Sequence, residues 1–518
     1  MQGDPVKITS YVDGKPLKGA GGTLKTTNPA QLDDVVGEVS LASAAQLVDA
    51  FRVATAAQKG WAATPAPVRG RVIAAIGRLV ESNKETLADL VVREVGKPRA
   101  EALGEVNEII DTCDFFLGEG RRLYGHTVPS EMRDKQLFTF RVPIGVAGII
   151  TAGNFPVAVP SWYLVPALLC GNAVVWKPAE YAAALGDALT TLFVAGGLPA
   201  GVLNTVHADG PTTYDGLSQA LSLGLVQKIG FTGSSEVGVR IGELAGRHLQ
   251  NPCLELGGKN PLVVMPDADL DLAAEGALFS GFGTAGQRCT SLGIAIVHDD
   301  VYDAFLSRFV SRVVDAAIGD PTKDVLYGPM LSERFLQGFE KWLGEVQPHH
   351  EVLGSTGTGR ITNANPRKGF VGDPEAGVYA HPAIVTGVQP DDALYQNETF
   401  GPLVSVMRFS SFDEAIELAN GHGYGLSSAI YTTNPLHAFR FRERVSAGML
   451  SVNNSTSGAE AHLPFGGNGK SGNGSRQSGV WVLDQFTRWQ SMNWDYAGKL
   501  QKAQMDTEET TADLGFRL

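Results

Sequence analysis

From Val142 to Trp176 the chain carries no charged residue. A run of that length can cross a bilayer as a helix. It also holds Pro143, Pro156, Pro160 and Pro166, with glycine and asparagine breaks between them. A spanning helix interrupted so often would leave backbone groups unpaired in lipid. The better reading is deep burial: two parallel strands over 145–150 and 173–176, flanking a buried helix over 160–169.

The flanking sequence extends this pattern. Strand-like segments at 146–151, 173–177, 202–206, 228–232 and 253–256 alternate with helical stretches, as in a parallel sheet with crossover helices. Upstream, residues 42–119 read as helices, punctuated at 60–67. After Arg121 short alternating runs end in Leu137-Phe-Thr-Phe-Arg-Val142, which suits an antiparallel hairpin leaving the main body. A second α/β section follows over 261–450, with strands at 262–265 and 294–298 and a helix at 270–280. Beyond it come a Gly/Ser/Asn-rich loop at 453–478, an aromatic stretch at 481–496 and a polar tail. At 518 residues the chain is too long for one core, so two or three domains are expected.

Composition excludes several functions. A net charge of -13 with no Lys/Arg cluster argues against binding nucleic acid or a membrane surface. The four cysteines, Cys113, Cys170, Cys253 and Cys289, lie far apart with no Cys-x-x-Cys pair. No metal site and no disulfide framework is therefore expected, and a cytoplasmic location fits. The N-terminus shows no signal peptide.

Four short motifs carry chemistry: Thr151-Ala-Gly-Asn-Phe-Pro156, Leu254-Glu-Leu-Gly-Gly-Lys-Asn-Pro261, Gly286-Gln-Arg-Cys289 and Asn397-Glu-Thr-Phe-Gly-Pro402. Cys289, in a small polar setting, offers a thiolate nucleophile. Asn154, just past a predicted strand, offers an amide donor for an oxyanion, with the Cys289 N–H as a second. Glu255 in an apolar segment has the raised pKa of a base that activates water. Taken singly, each has a plainer structural reading: an inert buried thiol, a turn residue, an ion pair with Lys259. The turn at Phe231-Thr-Gly-Ser-Ser-Glu-Val-Gly238 opens a helix and suits a pyrophosphate, or is simply an N-cap at Ser234. Lys177 and Glu180 at a strand end suit ribose hydroxyls or a surface pair. Gly466-Gly-Asn-Gly-Lys-Ser471 resembles an NTPase P-loop, but Pro464 stands where glycine is required and no hydrophobic strand leads into it.

Together, in order and spacing, these motifs resemble the NAD(P)-dependent aldehyde dehydrogenase superfamily from about Ser10 to Met492. The resemblance implies an NAD(P)-binding domain over 1–122 and 146–256, a catalytic domain over 257–452, an oligomerisation element over 123–145 and 453–496, and a C-terminal tail over 497–518. It implies a homodimer or homotetramer acting on a small-molecule aldehyde. Cys289 would attack the aldehyde, Asn154 would hold the oxyanion, hydride would leave to the nicotinamide, and Glu255 would activate the water that hydrolyses the thioester. Thr151, Lys177, Glu180, Gly233, Ser234, Gly257, Glu398 and Phe400 would contact the cofactor. Glu180 repels a 2'-phosphate, which favours NAD while leaving NADP open. Phe155, Trp162, Thr290 and Phe465 would line the substrate channel. Ala152-Gly153 replace a Pro-Trp pair common in the family, which predicts a more open entrance or altered adenosine-side packing. Gly104-Glu-Val-Asn-Glu108, Arg288 and Thr456-Ser-Gly-Ala-Glu460 resemble the aminoadipic-semialdehyde (antiquitin-like) branch, in which residues matching Glu108, Arg288, Gly458 and Ala459 grip the substrate. Ala461-His-Leu-Pro-Phe465 instead resembles sugar-acid semialdehyde and broad-range aldehyde dehydrogenases, with Arg288 then structural.

Overall fold

The computed structural model describes residues 4–500, 502 and 512–518. The uncharged run folds as burial predicts, into strand Val146–Ile150, helix Ala158–Leu169 and strand Ala173–Lys177. Every residue of that helix is buried. Its charge-free composition follows from having no solvent face. No helix among the described residues is long and apolar enough to cross a membrane.

These strands belong to a seven-stranded sheet ordered Cys253–Glu255, Lys228–Thr232, Val146–Ile150, Ala173–Lys177, Leu203–Thr205, Ser10–Val12, Lys15–Leu17. The first five are parallel. The parallel part of the sheet starts at Val146–Ile150, builds outward on one side and returns to the other. Strand order therefore reverses beside this first strand, and the crevice at the carboxyl ends opens there. The turns after Ile150, Lys177, Thr232 and Glu255 all emerge at that rim.

A second seven-stranded sheet runs Glu351–Leu353, Ala383–Thr386, Leu403–Phe409, Leu292–His298, Asn260–Val264, Ser427–Tyr431, Met449–Val452. It is parallel except at the Glu351–Leu353 edge. Four helices, Ala44–Ala63, Ala66–Ser82, Lys84–Val95 and Arg99–Arg122, occupy the region read as helical. Strand Lys135–Pro143 pairs in antiparallel register with Thr487–Asp495 along its whole length and only briefly with Thr127–Val128. The expected local hairpin is thus mainly a pairing with the far end of the chain. The tail's polar middle, residues 506–511, lies outside the described residues, while Leu514, Phe516 and Leu518 are exposed.

Candidate active site

Three loops meet at the crevice. Asn154 sits in the loop between Val146–Ile150 and Ala158–Leu169, and its Nδ2 donates to the Gln287 carbonyl at 2.9 Å. This hydrogen bond draws the amide to within two residues of Cys289 and leaves the second amide N–H for a ligand. Cys289 is partly buried at the edge of the hydrophobic cluster that holds Trp162 and Phe465, against which Phe155, Phe400 and Ala459 also pack. Cys113, Cys170 and Cys253 are fully buried.

The turn ahead of the nucleophile is strained. Thr284, Ala285 and Gly286 have φ of 54°, 54° and 68° in succession. Left-handed residues other than glycine cost about 1 kcal/mol or more each and persist only where their surroundings enforce them. At Gly286 a Cβ would collide with the Gly401 carbonyl, so no other residue fits. This loop packs directly on the motif that carries Glu255. Asn260 Nδ2 donates to the carbonyls of Cys289 and Ser291 at 2.9 and 2.7 Å, and a Cβ at Gly258 would lie 2.5 Å from the Cys289 oxygen.

Glu255 is 1% exposed, and neither oxygen has a hydrogen-bond partner of good geometry among the described residues. Burial pushes its pKa well above the usual carboxylate range, with Arg476 and the Gly467 N–H pulling only partly back. The C-terminal segment covers it, through a bridge to Gly472 and a Leu256 N–H donated to the Ser471 carbonyl at 3.0 Å. Burial, then Glu255 and Glu398, raise the Cys289 thiol well above its ordinary pKa, while the Thr290 and Cys289 N–H groups lower it. The alternative pairing of Glu255 with Lys259 does not occur. Lys259 is fully buried, and its Nζ has no hydrogen-bond partner among the described residues; burial pushes its pKa down to about 7, against an opposing pull from Glu398.

The residues expected at the cofactor gather along the same rim. Lys177 Nζ meets Glu180 Oε1 at 3.0 Å, and Thr151 Oγ1 accepts from Trp176 Nε1. Ser234 caps helix Ser235–Gly246 through the Val237 N–H, and the Gly233 N–H is taken by the Glu255 carbonyl. Glu398 accepts the Gly258 N–H at 3.1 Å, and burial raises its pKa to about 7. A Cβ at Gly257 would strike that carboxylate, so Gly257 is a cradle only glycine fills. The Lys177–Glu180 pair, a helix N-terminus at Ser234 and a carboxylate held beside a bare backbone suit the ribose hydroxyls and pyrophosphate of a dinucleotide. The space that Gly153 leaves is not open. A Cβ there would lie 2.6 Å from the Tyr181 ring, whose hydroxyl accepts the Gly153 N–H and which meets Phe335 edge-on, with Phe335 in turn meeting Phe400.

On the substrate side, Trp162 Nε1 donates to Glu108 at 3.1 Å and its ring lies 4.5 Å from that of Phe465. Burial raises Glu108 to about 7, with Asp111 and Glu460 adding repulsion. Thr290 is tied to Thr456 and Ser457, while Gly458 faces open space. The charge of Arg288 is answered inside the protein: Nη2 reaches Glu101 Oε2 at 2.6 Å, Nε donates to Thr284, and the guanidinium stacks on Phe279. The carboxylate that Arg288 binds here is therefore Glu101.

Two lookalikes resolve otherwise. Residues 466–471 form no phosphate loop, because Asn468–Gly469 pairs as a short strand with Tyr424–Gly425 and no helix starts at Ser471. That removes the NTPase reading. His349, His350 and Asp392 lie close enough to share a metal, but His350 Nδ1 accepts the Gln347 N–H, so Nε2 carries the proton that binds Asp392. The reading from sequence missed Lys97, Glu101, Glu105, Tyr181, Asn260 and Gln287. Asn260 and Gln287 lie inside two of the quoted motifs, and Glu101 and Glu105 precede the expected Glu108 as acids at i, i+4 and i+7 of one helix.

Comparison with known proteins gives the family and the fold. The sequence profile described as "Aldehyde dehydrogenase family" matches residues 17–492. An "Alpha-ketoglutaric semialdehyde dehydrogenase" of Bacillus subtilis (strain 168) is 34% identical over 92% of this chain and 96% of its own. "Aldehyde dehydrogenase family 7 member B4" of Arabidopsis thaliana is 35% identical over 96% and 95%. Among solved structures, the NAD-dependent aldehyde dehydrogenase from Sinorhizobium meliloti superposes with a TM-score of 0.89 at 32% identity, covering 96% of each chain. An E. coli NADP dependent enzyme superposes with a TM-score of 0.88 at 31% identity, over 95% and 98%.

Proposed function

Because the chain belongs to the aldehyde dehydrogenase family and oxidises aldehydes with NAD(P), we propose that it is a hydrolytic member that releases a free carboxylate from a Cys289 thioester. The observation that carries this reading is Glu255: a buried carboxylate with raised proton affinity and no hydrogen bond of good geometry among the described residues, on a motif that packs against the Cys289 carbonyl. Cys289 adds to the aldehyde carbon, and its proton passes to a neighbouring base. Asn154 Nδ2 and the Cys289 N–H hold the oxyanion that forms. Bound NAD(P) supplies the hydride acceptor. Glu255 then takes a proton from water as the water attacks the thioester, and the thiol returns. Glu398, Lys177 and Glu180 orient the dinucleotide, with NAD preferred over NADP.

For the substrate, Glu108 and Glu460 place negative charge at the channel, and the nearby arginine is spent on Glu101. An aldehyde bearing an ammonium group fits, as in an amino-acid semialdehyde. The names of relatives favour a second reading, a 2-oxo acid semialdehyde. The deciding experiment follows NADH absorbance across amino-bearing, oxo-acid and plain aldehydes, with coenzyme A present and products identified by mass. Free carboxylate from an amino-bearing aldehyde supports the proposal. An acyl-coenzyme A product would refute the hydrolytic reading. Strand Thr487–Asp495, with exposed Trp489, Met492 and Trp494, is the surface on which copies of this chain associate.

A further inference from the structure

Beyond placing Glu108 at the substrate channel, helix Arg99–Arg122 contributes no atom to the reacting centre, yet it grips both halves of the site. Glu105 is buried at the start of Ala158–Leu169, where its Oε1 accepts the N–H groups of Val157 and Ala158 at 2.8 and 3.2 Å. That helix has no capping side chain of its own, so Glu105 supplies the acceptor from outside. Its Oε2 meets Lys97 Nζ at 2.5 Å, and the same ammonium sits 3.5 Å from the centre of the Phe155 ring. The residue following Asn154 and the backbone three and four residues after it are thus held by one buried ion pair.

One turn earlier on the helix, Glu101 holds the other half. Its oxygens accept the Thr284 N–H at 3.3 Å, the Thr284 hydroxyl at 2.5 Å and Arg288 Nη2 at 2.6 Å. Thr284 opens the left-handed turn and Arg288 immediately precedes Cys289. Four helical residues span about 6 Å. That is the separation at which the two loops are clamped.

We propose that Glu101 and Glu105 are positioning residues that set the placement of the oxyanion donor Asn154 against the nucleophile Cys289, with Glu105 acting through Asn154 and Glu101 through the Cys289 loop. This rests on the roles given to Asn154 and Cys289 above. A displacement near 1 Å at either loop costs about a hundredfold in rate. The pairing also assigns Arg288 a part: it is the handle by which Glu101 holds the nucleophile loop.

Removing Glu105 alone would strand a buried lysine, so both Glu105 variants also carry Lys97→Met. Lys97→Met with Glu105→Gln keeps an oxygen acceptor for the helix start, and Lys97→Met with Glu105→Ala does not. With propanal and saturating NAD, the alanine pair is expected to lose ten- to a hundredfold in kcat with little change in KM for NAD, and the glutamine pair to recover most of it. Built onto Asn154→Ala, the alanine pair is expected to add almost nothing, because its effect passes through the missing amide. Glu101→Gln is expected to multiply the Asn154→Ala loss and to change the rate at which iodoacetamide alkylates Cys289. Equal kcat in the two Lys97→Met pairs, or a loss that multiplies with Asn154→Ala, overturns the role of Glu105. An alkylation rate unchanged in Glu101→Gln overturns that of Glu101. Full turnover in Asn154→Ala itself would instead overturn the reading of the site.

Discussion

Gly257 shows how much a single missing atom decides at this site. Its bare backbone lets the Glu398 carboxylate settle against the Gly257-Gly258 turn, and Gly257→Ala forces that carboxylate away. The variant is expected to raise KM for NAD and lower kcat by tenfold or more while Cys289 still alkylates, as read by steady-state kinetics beside thiol labelling. Glu255 sets the pH dependence. Burial holds its proton to higher pH than an ordinary carboxyl does, so the basic form appears as pH rises and thioester hydrolysis rises with it. Glu255→Gln is expected to lose a hundredfold or more in turnover and to flatten that rise, with acyl-enzyme accumulating in mass spectra. Glu108 adds a second pH effect. Above about 7 it is ionised, so KM for an amino-bearing aldehyde falls as pH passes upward through that point, and Glu108→Gln abolishes the trend. A pH-independent KM in the wild type would count against the ammonium reading.

Between elements, buried carboxylates do the joining. Glu94, near the end of helix Lys84–Val95, accepts the Ala184 and Leu185 N–H groups at 2.8 Å each and so caps helix Ala183–Ala195 from a different element. Glu94→Ala leaves both donors unsatisfied and is expected to cost about 1–3 kcal/mol in thermal unfolding, with faster amide exchange confined to that helix start. Such contacts also mark where the sequence stops being readable. The run without charge announced its own burial, and strand Lys228–Thr232 falls where alternation placed it. The motif residues Asn154, Glu255 and Cys289 stood out because their chemistry is written in short stretches. Glu101 and Arg288 are 187 residues apart, and nothing local in either says that they meet. Thr284 and Ala285 are ordinary residues in a rare backbone conformation, imposed by neighbours and invisible as letters. The three-residue strand Ser10–Val12 is too short to carry a period, and only its pairing with Lys15–Leu17 and Leu203–Thr205 makes it a strand.

Across the whole molecule, the sheet of Thr127–Val128, Lys135–Pro143 and Thr487–Asp495 ends in Thr487–Asp495, whose outer edge pairs with no strand among the described residues, with Trp489, Met492 and Trp494 each about half exposed. Such an edge is stable in water when another strand or subunit covers it. Met492→Lys with Trp494→Lys is expected to yield a smaller species by light scattering, and an unchanged mass would remove this surface as the site of association. The covering of Glu255 and the pairing of residues 135–143 both come from the last part of the chain. Residues 143 and 487 are paired neighbours, yet at 5–20 residues per second the ribosome makes the second roughly 20–70 s after the first. A nascent chain can therefore fold its first parallel sheet while Glu255 still lies open to water and residues 135–143 lack their long partner strand. The cover over Glu255 and the proposed surface of association arrive together, once residues 472–495 have been made.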